Sequence, residues 1–269
     1  MYYFRTISDA QLSPLRQQCY ASLNAPLDGM WDDLIHRSVV RGIFFRSECI
    51  GYFCHDQAYT LINFFLQEEH LNNKEVIIRN LLQEEYFPQA YVSTNHPCFM
   101  TAVMPLARRT AVYYYLFEEV KQEDERLLLP QGFEEADLEL AVKADVQKIV
   151  RFCQQTTTAD ESWLTDYTRQ WIDQEGIYYL SLGNEILGTC ELRKSLTQPG
   201  YADLGAIVSP RHRKQGLGTY LMQKGKVLCH EQGLTPICSC RFDNKGSRRM
   251  IEHAGFVNKH LMLKVKFGM

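Results

Sequence analysis

The 269-residue sequence has nine cysteines but no C-x-x-C pair, and its net charge at pH 7 is only −3. A structural zinc site needs paired ligands at short spacing, so the sequence predicts no bound metal. The cysteine count is odd and most cysteines have apolar neighbours, which predicts buried, reduced thiols in a cytoplasmic protein. The small net charge and the absence of a basic stripe with interleaved aromatic residues predict no nucleic-acid partner.

Long apolar runs are also missing. A membrane-spanning helix needs about 20 consecutive apolar residues, and the longest runs, such as 111–117, have the length of a strand. The sequence starts MYYFRTISDAQ, with no basic region followed by an apolar core, so we expect no secretory signal. The composition is typical of a soluble globular protein. We therefore expect no membrane partner, and the oligomeric state stays open.

A charged segment, 118–126, interrupts two apolar halves and leads into Pro130 and Gly132. Charge and turn residues together indicate a domain junction, and we place the two domains at residues 1–125 and 126–269. Turn signals and apolar periodicity predict the same order in each half: strand, two helices, three strands, helix, strand, helix, strand. We therefore expect an α/β protein of the mixed α+β kind. Each tandem domain would be a mixed, mostly antiparallel, twisted sheet flanked by helices.

The segment 208–222, VSPRHRKQGLGTYLM, lies between a predicted strand and a predicted helix. It contains Arg213, Gly216 and Gly218 in the spacing R-x-x-G-x-G. The start of a helix presents unpaired N–H groups and the positive end of the helix dipole, which together favour anions. The basic residues Arg211 and Lys214 add positive charge. The segment therefore predicts a site for a phosphate-bearing ligand.

Two motif blocks resemble the GNAT superfamily of N-acetyltransferases. The first is V-x-P-x-H-R-x-x-G-x-G, which begins at Val208, and the second consists of Asn244, Ser247 and a terminal G-F at 255–256. The resemblance covers about residues 135–269. The first half resembles the family only in its element order, because residues 68–78, where the glycine loop should lie, contain no glycine. The whole chain resembles a tandem acetyltransferase with a degenerate N-terminal half.

The resemblance implies acetyl-CoA as the donor and a primary amine, on a small molecule or a peptide, as the acceptor. The pyrophosphate would bind the N–H groups of residues 213–219, where glycines let the backbone approach it. The pantetheine arm would pair with the free edge of the fourth strand, as in strand addition. The implied cofactor-binding residues are Ala206, Ile207, Val208, Arg213, Lys214, Gln215, Gly216, Leu217, Gly218, Thr219, Asn244 and Ser247.

The catalytic residues are less clearly indicated. Many members of the family have a tyrosine seven residues after the asparagine, but this chain has Ile251 there. Direct transfer needs an amine that has lost its proton, and Asp203 and Glu191 are the nearest carboxylates in the sequence. His253 is the third candidate. Each candidate has a plainer alternative, a solvent-facing strand residue for the two acids and a surface residue for His253. Catalysis by positioning alone is a further alternative.

Trp163, Tyr167 and Trp171 are four residues apart and share one face of a predicted helix. This face belongs either to the core or to the acceptor pocket, because the first two helices line the substrate side in the family. The missing tyrosine also leaves a second function open. The chain would then be a non-catalytic acyl-CoA-binding or protein-interaction module.

Overall fold

The computed structural model describes residues 2–120, 127–157 and 159–268. Its first half has the predicted order of elements, a strand, two helices, three strands and then helix, strand, helix, strand. The elements are β1 (Tyr2–Thr6), α1 (Asp9–Ala21), α2 (Gly29–His36), β2 (Val39–Phe45), β3 (Glu48–His55), β4 (Thr60–Leu66), α3 (Lys74–Glu84), β5 (Gln89–Ser93), α4 (Pro97–Val103) and β6 (Ala107–Glu119).

The second half repeats that order, which confirms the predicted duplication of element order and the mixed α/β fold class. The elements are β7 (Asp137–Leu140), α5 (Val146–Thr156), α6 (Glu161–Asp173), β8 (Ile177–Leu182), β9 (Glu185–Lys194), β10 (Tyr201–Val208), α7 (Leu217–Glu231), β11 (Thr235–Arg241), α8 (Lys245–His253) and β12 (Phe256–Phe267). Local signals set several of these bounds. The carboxylate of Asp160 accepts hydrogen bonds from the N–H groups of Ser162 and Trp163 and so begins α6.

The chain divides into two compact units. Within the described residues, unit 1 comprises 2–116, 241–243 and 259–268, and unit 2 comprises 117–120, 127–157, 159–240 and 244–258. Each unit thus includes a short piece from the other half of the sequence. The predicted domain boundary between residues 125 and 126 lies outside the described residues and stays a prediction.

Unit 1 is built on a sheet in the order β1-β2-β3-β4-β5-β12. The last strand of the chain, β12, pairs antiparallel with β5, from Met262 opposite Ser93 to Lys266 opposite Gln89. Val265 lies opposite Ala90, and both are fully buried in the core of this unit. The C-terminal strand therefore contributes to the core of unit 1 although its sequence follows the whole second half.

Unit 2 is built on a sheet in the order β11-β10-β9-β8-β7, in which only the β10–β11 pair is parallel. Helices α5 and α6 pack on one face, where Ile149 and Ile172 join Tyr179 in the core. Helix α7 packs on the other face. It lies so close that a Cβ added to Gly225 would stand 2.9 Å from Cys190 Sγ. The sheet is therefore covered on both sides, as expected for apolar inner strands.

No helix within residues 2–120, 127–157 and 159–268 is long and apolar enough to cross a membrane. Nor does this part of the chain bring together three or more histidine, cysteine, aspartate or glutamate side chains that would hold a metal ion.

The position of Val265 gives a test of the role of β12. Replacing Val265 by aspartate places a carboxylate at a fully buried position in unit 1. We expect the free energy of unfolding of unit 1 to fall by about 4 kcal/mol, because the charge has no partner there. Trp31 packs against Tyr91 of β5 and reports on this unit. Trp31 fluorescence would be measured during urea unfolding, in a protein whose other two tryptophans are replaced by phenylalanine.

Lys266→Asp is the matched control, because it puts the same carboxylate on the exposed side of the same strand. We expect it to change the free energy of unfolding by less than about 1 kcal/mol. An unmoved Trp31 transition in Val265→Asp would contradict the assignment of β12 to the core of unit 1.

Candidate functional site

The first feature of the site is a strand edge without a neighbour. Strand β10 pairs with β9 over its whole length from Ala202 to Val208. On its other side it pairs with β11 only from Tyr201 to Asp203, opposite 235–237. Among the described residues no strand therefore follows the β11 side of 204–208. An open edge offers its N–H and C=O groups to an extended ligand.

The second feature is the loop that connects β10 to α7. Lys214 and Gly216 both adopt left-handed backbone conformations, with φ of +63° and +88°, on either side of Gln215. Alternating backbone handedness turns successive N–H groups toward one side and forms a concavity for anions. Among the described residues no hydrogen-bond acceptor lies on the N–H groups of 213–219. These groups and the helix dipole suit a phosphate.

Glycine suits positions 216 and 218 of the loop for different physical reasons. Gly216 needs its left-handed conformation, and a Cβ there would also stand 3.1 Å from Pro130 Cγ. Gly218 has no such conformation, but a Cβ there would lie 2.6 Å from Met250 Sδ of α8. Close packing of α7 against α8 therefore favours a small residue at Gly218, because a Cβ there would displace the flexible Met250 side chain, a reason that the sequence pattern did not indicate.

Asn244 and Ser247 lie at the start of α8. The side-chain Oδ1 of Asn244 accepts a hydrogen bond from the Ser247 N–H at 3.0 Å and caps the helix. Ser247 lies beside Cys240, and burial raises the pKa of the Cys240 thiol to about 11. A thiol with that pKa is protonated at neutral pH, so Cys240 lacks the thiolate that a covalent acetyl-cysteine route would need.

The third feature is a buried polar network of Tyr167 on α6, Glu191 and Arg193 on β9, and Asp203 on β10. The Arg193 guanidinium donates to Asp203 Oδ2 at 2.5 Å and to Glu191 Oε2 at 3.3 Å. It also donates to the Tyr167 hydroxyl at 2.9 Å, and that hydroxyl donates to Glu191 Oε2 at 2.6 Å. Both candidate acids therefore belong to one hydrogen-bonded group.

The expectation that Asp203 and Glu191 face solvent is wrong. Asp203 is 1% exposed and Glu191 is 9% exposed, because β9 and β10 are inner strands and this face lies under the helices. Buried carboxylates need partners, and Arg193 supplies the positive charge for both of them. Arg193 was not among the site residues predicted from the sequence. Its spacing of two from Glu191 places both side chains on one face of a strand, and that spacing was the available signal.

The electrostatics of the network follow from this burial. Burial and the negative charge of Glu191 raise the pKa of Tyr167 far above its ordinary value, so the phenol stays neutral and donates. Burial by itself would lower the pKa of Arg193, but the charges of Asp203 and Glu191 outweigh it and raise that pKa.

Glu191 reaches over β10 at a residue whose β11 side has no paired strand. It stands opposite Gly205 in the strand register, and a Cβ on Gly205 would be 3.4 Å from Glu191 Oε2. His253, by contrast, is exposed and lies in the last turn of α8. Nine residues of helix place it about 13 Å along the axis from Asn244. The structure therefore brings Glu191 and Asp203 together through Arg193, whereas His253 is an exposed residue at the end of α8.

The aromatic face of α6 belongs only partly to the core. Trp171 packs against the buried cluster under α5 and α6. Trp163 is 51% exposed, and its ring stacks on Tyr167 with 4.9 Å between the ring centroids. An exposed aromatic surface therefore lies next to the tyrosine that holds Glu191.

Unit 1 has the same separation of strands. Strands β4 and β5 are parallel and pair at Thr60 and Leu61, opposite 89–90. Past these pairs, Phe64 and Phe65 of β4 are buried in the cores on the two faces of the sheet. The following segment is a short 3-10 helix, Glu68–Asn73, that leads directly into α3 without a glycine.

A cysteine, a histidine and an asparagine also meet in unit 1. Cys19 Sγ is 3.6 Å from His96 Nε2, which is 2.9 Å from Asn63 Oδ1. Burial raises the pKa of Cys19 to about 12 and lowers that of His96 to about 4. Both groups are therefore neutral at pH 7, whereas a nucleophilic cysteine requires a thiolate. This group is a structural hydrogen-bond network.

Two family models match the chain, one described as Acetyltransferase (GNAT) domain over residues 8–120 and one as Acetyltransferase (GNAT) family over residues 144–256. A solved GNAT-family acetyltransferase from Colwellia psychrerythraea has a TM-score of 0.91 and 24% identity, with 99% of this chain and 100% of that chain covered. A tandem GNAT protein from the clavulanic acid biosynthesis pathway has a TM-score of 0.65 and 14% identity, with 100% and 99% covered. No curated protein is a significant match. The structural likenesses show that the whole chain has the fold of these proteins.

The Arg193 network predicts a pH-dependent loss of stability. In Arg193→Gln two carboxylates remain buried without their cation, and we expect the free energy of unfolding at pH 7 to fall by about 3–5 kcal/mol. Their native pKa values would then lie above the unfolded values. Between pH 7 and pH 5 the native state would bind more protons than the unfolded state, so the deficit shrinks as the pH falls.

Urea unfolding of both proteins at several pH values measures this difference. Arg241→Gln is the control, because Arg241 pairs with Asp243 on the surface, where both side chains are more than half exposed. We expect little change from it at any pH. A deficit in Arg193→Gln that stays constant from pH 7 to pH 5 would contradict the network.

Proposed function

The chain belongs to the GNAT acetyltransferase family, and from that premise we propose that it is an acetyl-CoA-dependent N-acetyltransferase. The acetyl group moves to a primary amine of a small molecule or a peptide by direct transfer in a ternary complex. One observation carries the proposal. In unit 2 the open edge at 204–208 leads directly into a helix start whose N–H groups lack acceptors.

The residues of unit 2 fit the two ends of this co-substrate. The N–H groups of 213–219, with the exposed cations Arg213 and Lys214, suit its diphosphate. The edge at Ala206, Ile207 and Val208 suits its extended arm, which carries amide groups of its own. Asn244 and Ser247 would contact that arm from the start of α8. Acetyl-CoA supplies a thioester whose carbonyl carbon reacts with an amine.

The arrangement of the network supports Glu191 as the group that takes the proton from the amine, directly or through a water. Its carboxylate lies over Gly205, a residue of β10 that has no paired strand on its β11 side. Tyr167 donates to that carboxylate and holds it in place. Asp203 acts through Arg193 and is a positioning residue. The amine nitrogen bonds to the carbonyl carbon, the carbon–sulfur bond breaks, and the thiolate takes a proton from water.

His253 is the competing candidate for the proton-accepting role. Its ring is exposed at the end of α8, where solvent reaches it freely. Ile251, at the position where many family members have a tyrosine, is buried and has no proton to donate. For this reason the proton of the leaving group comes from solvent in our proposal.

We propose that residues 126–269 form the catalytic domain and residues 1–125 a degenerate one without a cofactor site. The segment that corresponds to the glycine loop supports this division, because in unit 1 it is a 3-10 helix, Glu68–Asn73, and contains no glycine. The nine cysteines are free thiols, which supports a reducing compartment such as the cytoplasm.

A second function has one observation in its favour. Arg193 binds both Glu191 and Asp203, so both carboxylates already have a charged partner inside the protein. The chain would then be a non-catalytic acyl-CoA-binding or protein-interaction module. Binding of acetyl-CoA without thiol release across a broad panel of amines would favour this function. Steady thiol release with any amine would exclude it.

The loop conformation predicts which glycine acetyl-CoA binding depends on. In Gly216→Ala the new Cβ strains a left-handed residue and approaches Pro130. We expect the dissociation constant for acetyl-CoA, measured by calorimetry, to rise at least about tenfold, because the N–H groups lose their common direction. Gly233→Ala strains a glycine of the same handedness just past the other end of α7. Equal losses of affinity in both variants would show that the effect is general instability.

The network predicts which acid matters for turnover. Glu191→Gln keeps the size of the side chain but removes the base, so we expect kcat to fall by about 10²–10⁴-fold with little change in acetyl-CoA affinity. His253→Gln should change kcat by less than about twofold. The assay follows thiol release with the best amine of a panel. A large loss in His253→Gln together with normal turnover in Glu191→Gln would transfer the role to His253.

A further inference from the structure

A cavity of about 860 Å³ opens in unit 2 on the side of α5. Its walls are α5, the turn between β8 and β9, and the first residues after β10. The floor includes Phe152 and Ile186, both buried. Three cations line the cavity, Lys148 and Arg151 from α5 and Arg211 from the segment after β10. The cavity is large enough for a small organic ligand and combines an apolar floor with positive charge.

The positive charge of this cavity is not neutralised by the protein around it. Glu185 is the carboxylate that lines the cavity, and its Oε1 lies 3.0 Å from His212 Nε2. Within the described ranges neither Arg151 nor Arg211 has an ion-pair partner. Two guanidinium groups without carboxylates, in a chain of net charge −3, favour an anionic ligand, because their planar N–H groups match carboxylate and phosphate oxygens.

Lys148 also has a fixed position in the cavity wall. The ammonium group of Lys148 lies 4.1 Å from the centroid of the Tyr179 ring, which holds it over the sheet. Arg151 is three residues further along α5 and therefore lies on the same side of the helix. The two α5 cations thus face one region of the cavity wall.

The cavity is separate from the residues assigned to acetyl-CoA. Its lining includes 209–211, which precede the loop, but none of 213–219 and neither Asn244 nor Ser247. The walls from α5 and the β8–β9 turn belong to the face of the sheet that carries the Glu191 network, opposite the face that packs against α7. A ligand in this cavity therefore approaches the sheet from the side of α5 and α6.

We propose that this cavity binds a small organic anion, a carboxylate or a phosphate monoester on an apolar group, through Arg151 and Arg211. The apolar group would contact Phe152 and Ile186, and the anion would accept hydrogen bonds from the guanidinium groups. The anion is either a free ligand or the anionic end of the acceptor. The second source rests on the proposed transferase function, whereas the binding site itself does not.

Calorimetry with phenyl phosphate tests the site without any assay of turnover. We expect the wild-type chain to bind phenyl phosphate, and the double variant Arg151→Gln/Arg211→Gln to bind it at least about tenfold more weakly. Arg169→Gln removes an exposed arginine of α6 that does not line the cavity, and it should bind normally. Phenol, which has the same ring without the anion, should not bind measurably.

Absence of binding to the wild-type chain, or equal binding by the double variant, overturns the proposal. Both replaced side chains are exposed, so the double variant should keep the wild-type melting temperature. If it unfolds, the single variant Arg151→Gln gives the same comparison, with a smaller expected loss of affinity.

Two further arms identify the source of the anion. If CoA displaces phenyl phosphate but dephospho-CoA does not, the cavity holds the 3′-phosphate of CoA and a separate ligand is excluded. If phenyl phosphate binds in the presence of saturating CoA, the site is independent of the co-substrate. Thiol release is then compared for tyrosine and tyramine, which differ by a carboxylate.

A preference for tyrosine that the double variant loses assigns the anion to the acceptor. If the two amines react equally while phenyl phosphate still binds, the anion is a free ligand. If neither amine reacts, the transferase function is in question, but the calorimetric result on the cavity stands.

Discussion

The separation of β10 from β11 after three residue pairs is the constraint on which the site depends. The strands pair at 201–203 and no further, so the chain past Asp203 has one paired side and one open side. An open strand edge is a liability that proteins normally cover. In unit 2 the opening leads to a helix start with unpaired N–H groups, and both features call for a ligand with extended and anionic parts. In unit 1 the same separation leads instead to a 3-10 helix without glycine, Glu68–Asn73.

The buried network beside this opening combines position and restraint. Arg193 allows two carboxylates to lie in the sheet interior, because each has a charged partner. The hydrogen bonds that Glu191 accepts from Tyr167 and Arg193 both reach Oε2. The structure thus fixes the position of the Glu191 carboxylate over Gly205 of β10, which suits a reaction in which orientation of the amine contributes much of the rate.

Features that arise from local interactions could be predicted from the sequence, and features that depend on distant partners could not. The element order, the loop before α7 and the cap at Asn244 follow from turn and capping residues close in sequence. The place of β12 beside β5 could not be read locally, because any apolar strand pattern fits several sheet edges. Asp203 was open to a solvent-facing alternative for the same reason. Its burial depends on Arg193, whose role appears only when the strand register is known.

The two halves show how one opening can serve either binding or structure. Where no ligand binds, buried polar groups beside the separated strands need partners within the protein, since buried donors and acceptors without partners are costly. Unit 1 does this with Asn63, whose Oδ1 accepts a hydrogen bond from His96 Nε2–H at 2.9 Å and whose amide group donates to the Tyr52 hydroxyl at 3.2 Å. The helix start in unit 2 has no such internal partners for the N–H groups of 213–219 within the described chain. The polar side chains beside the separated strands of unit 1 therefore bond to one another, whereas the main-chain N–H groups of the loop in unit 2 stay available, a difference that supports the proposed assignment of the two halves.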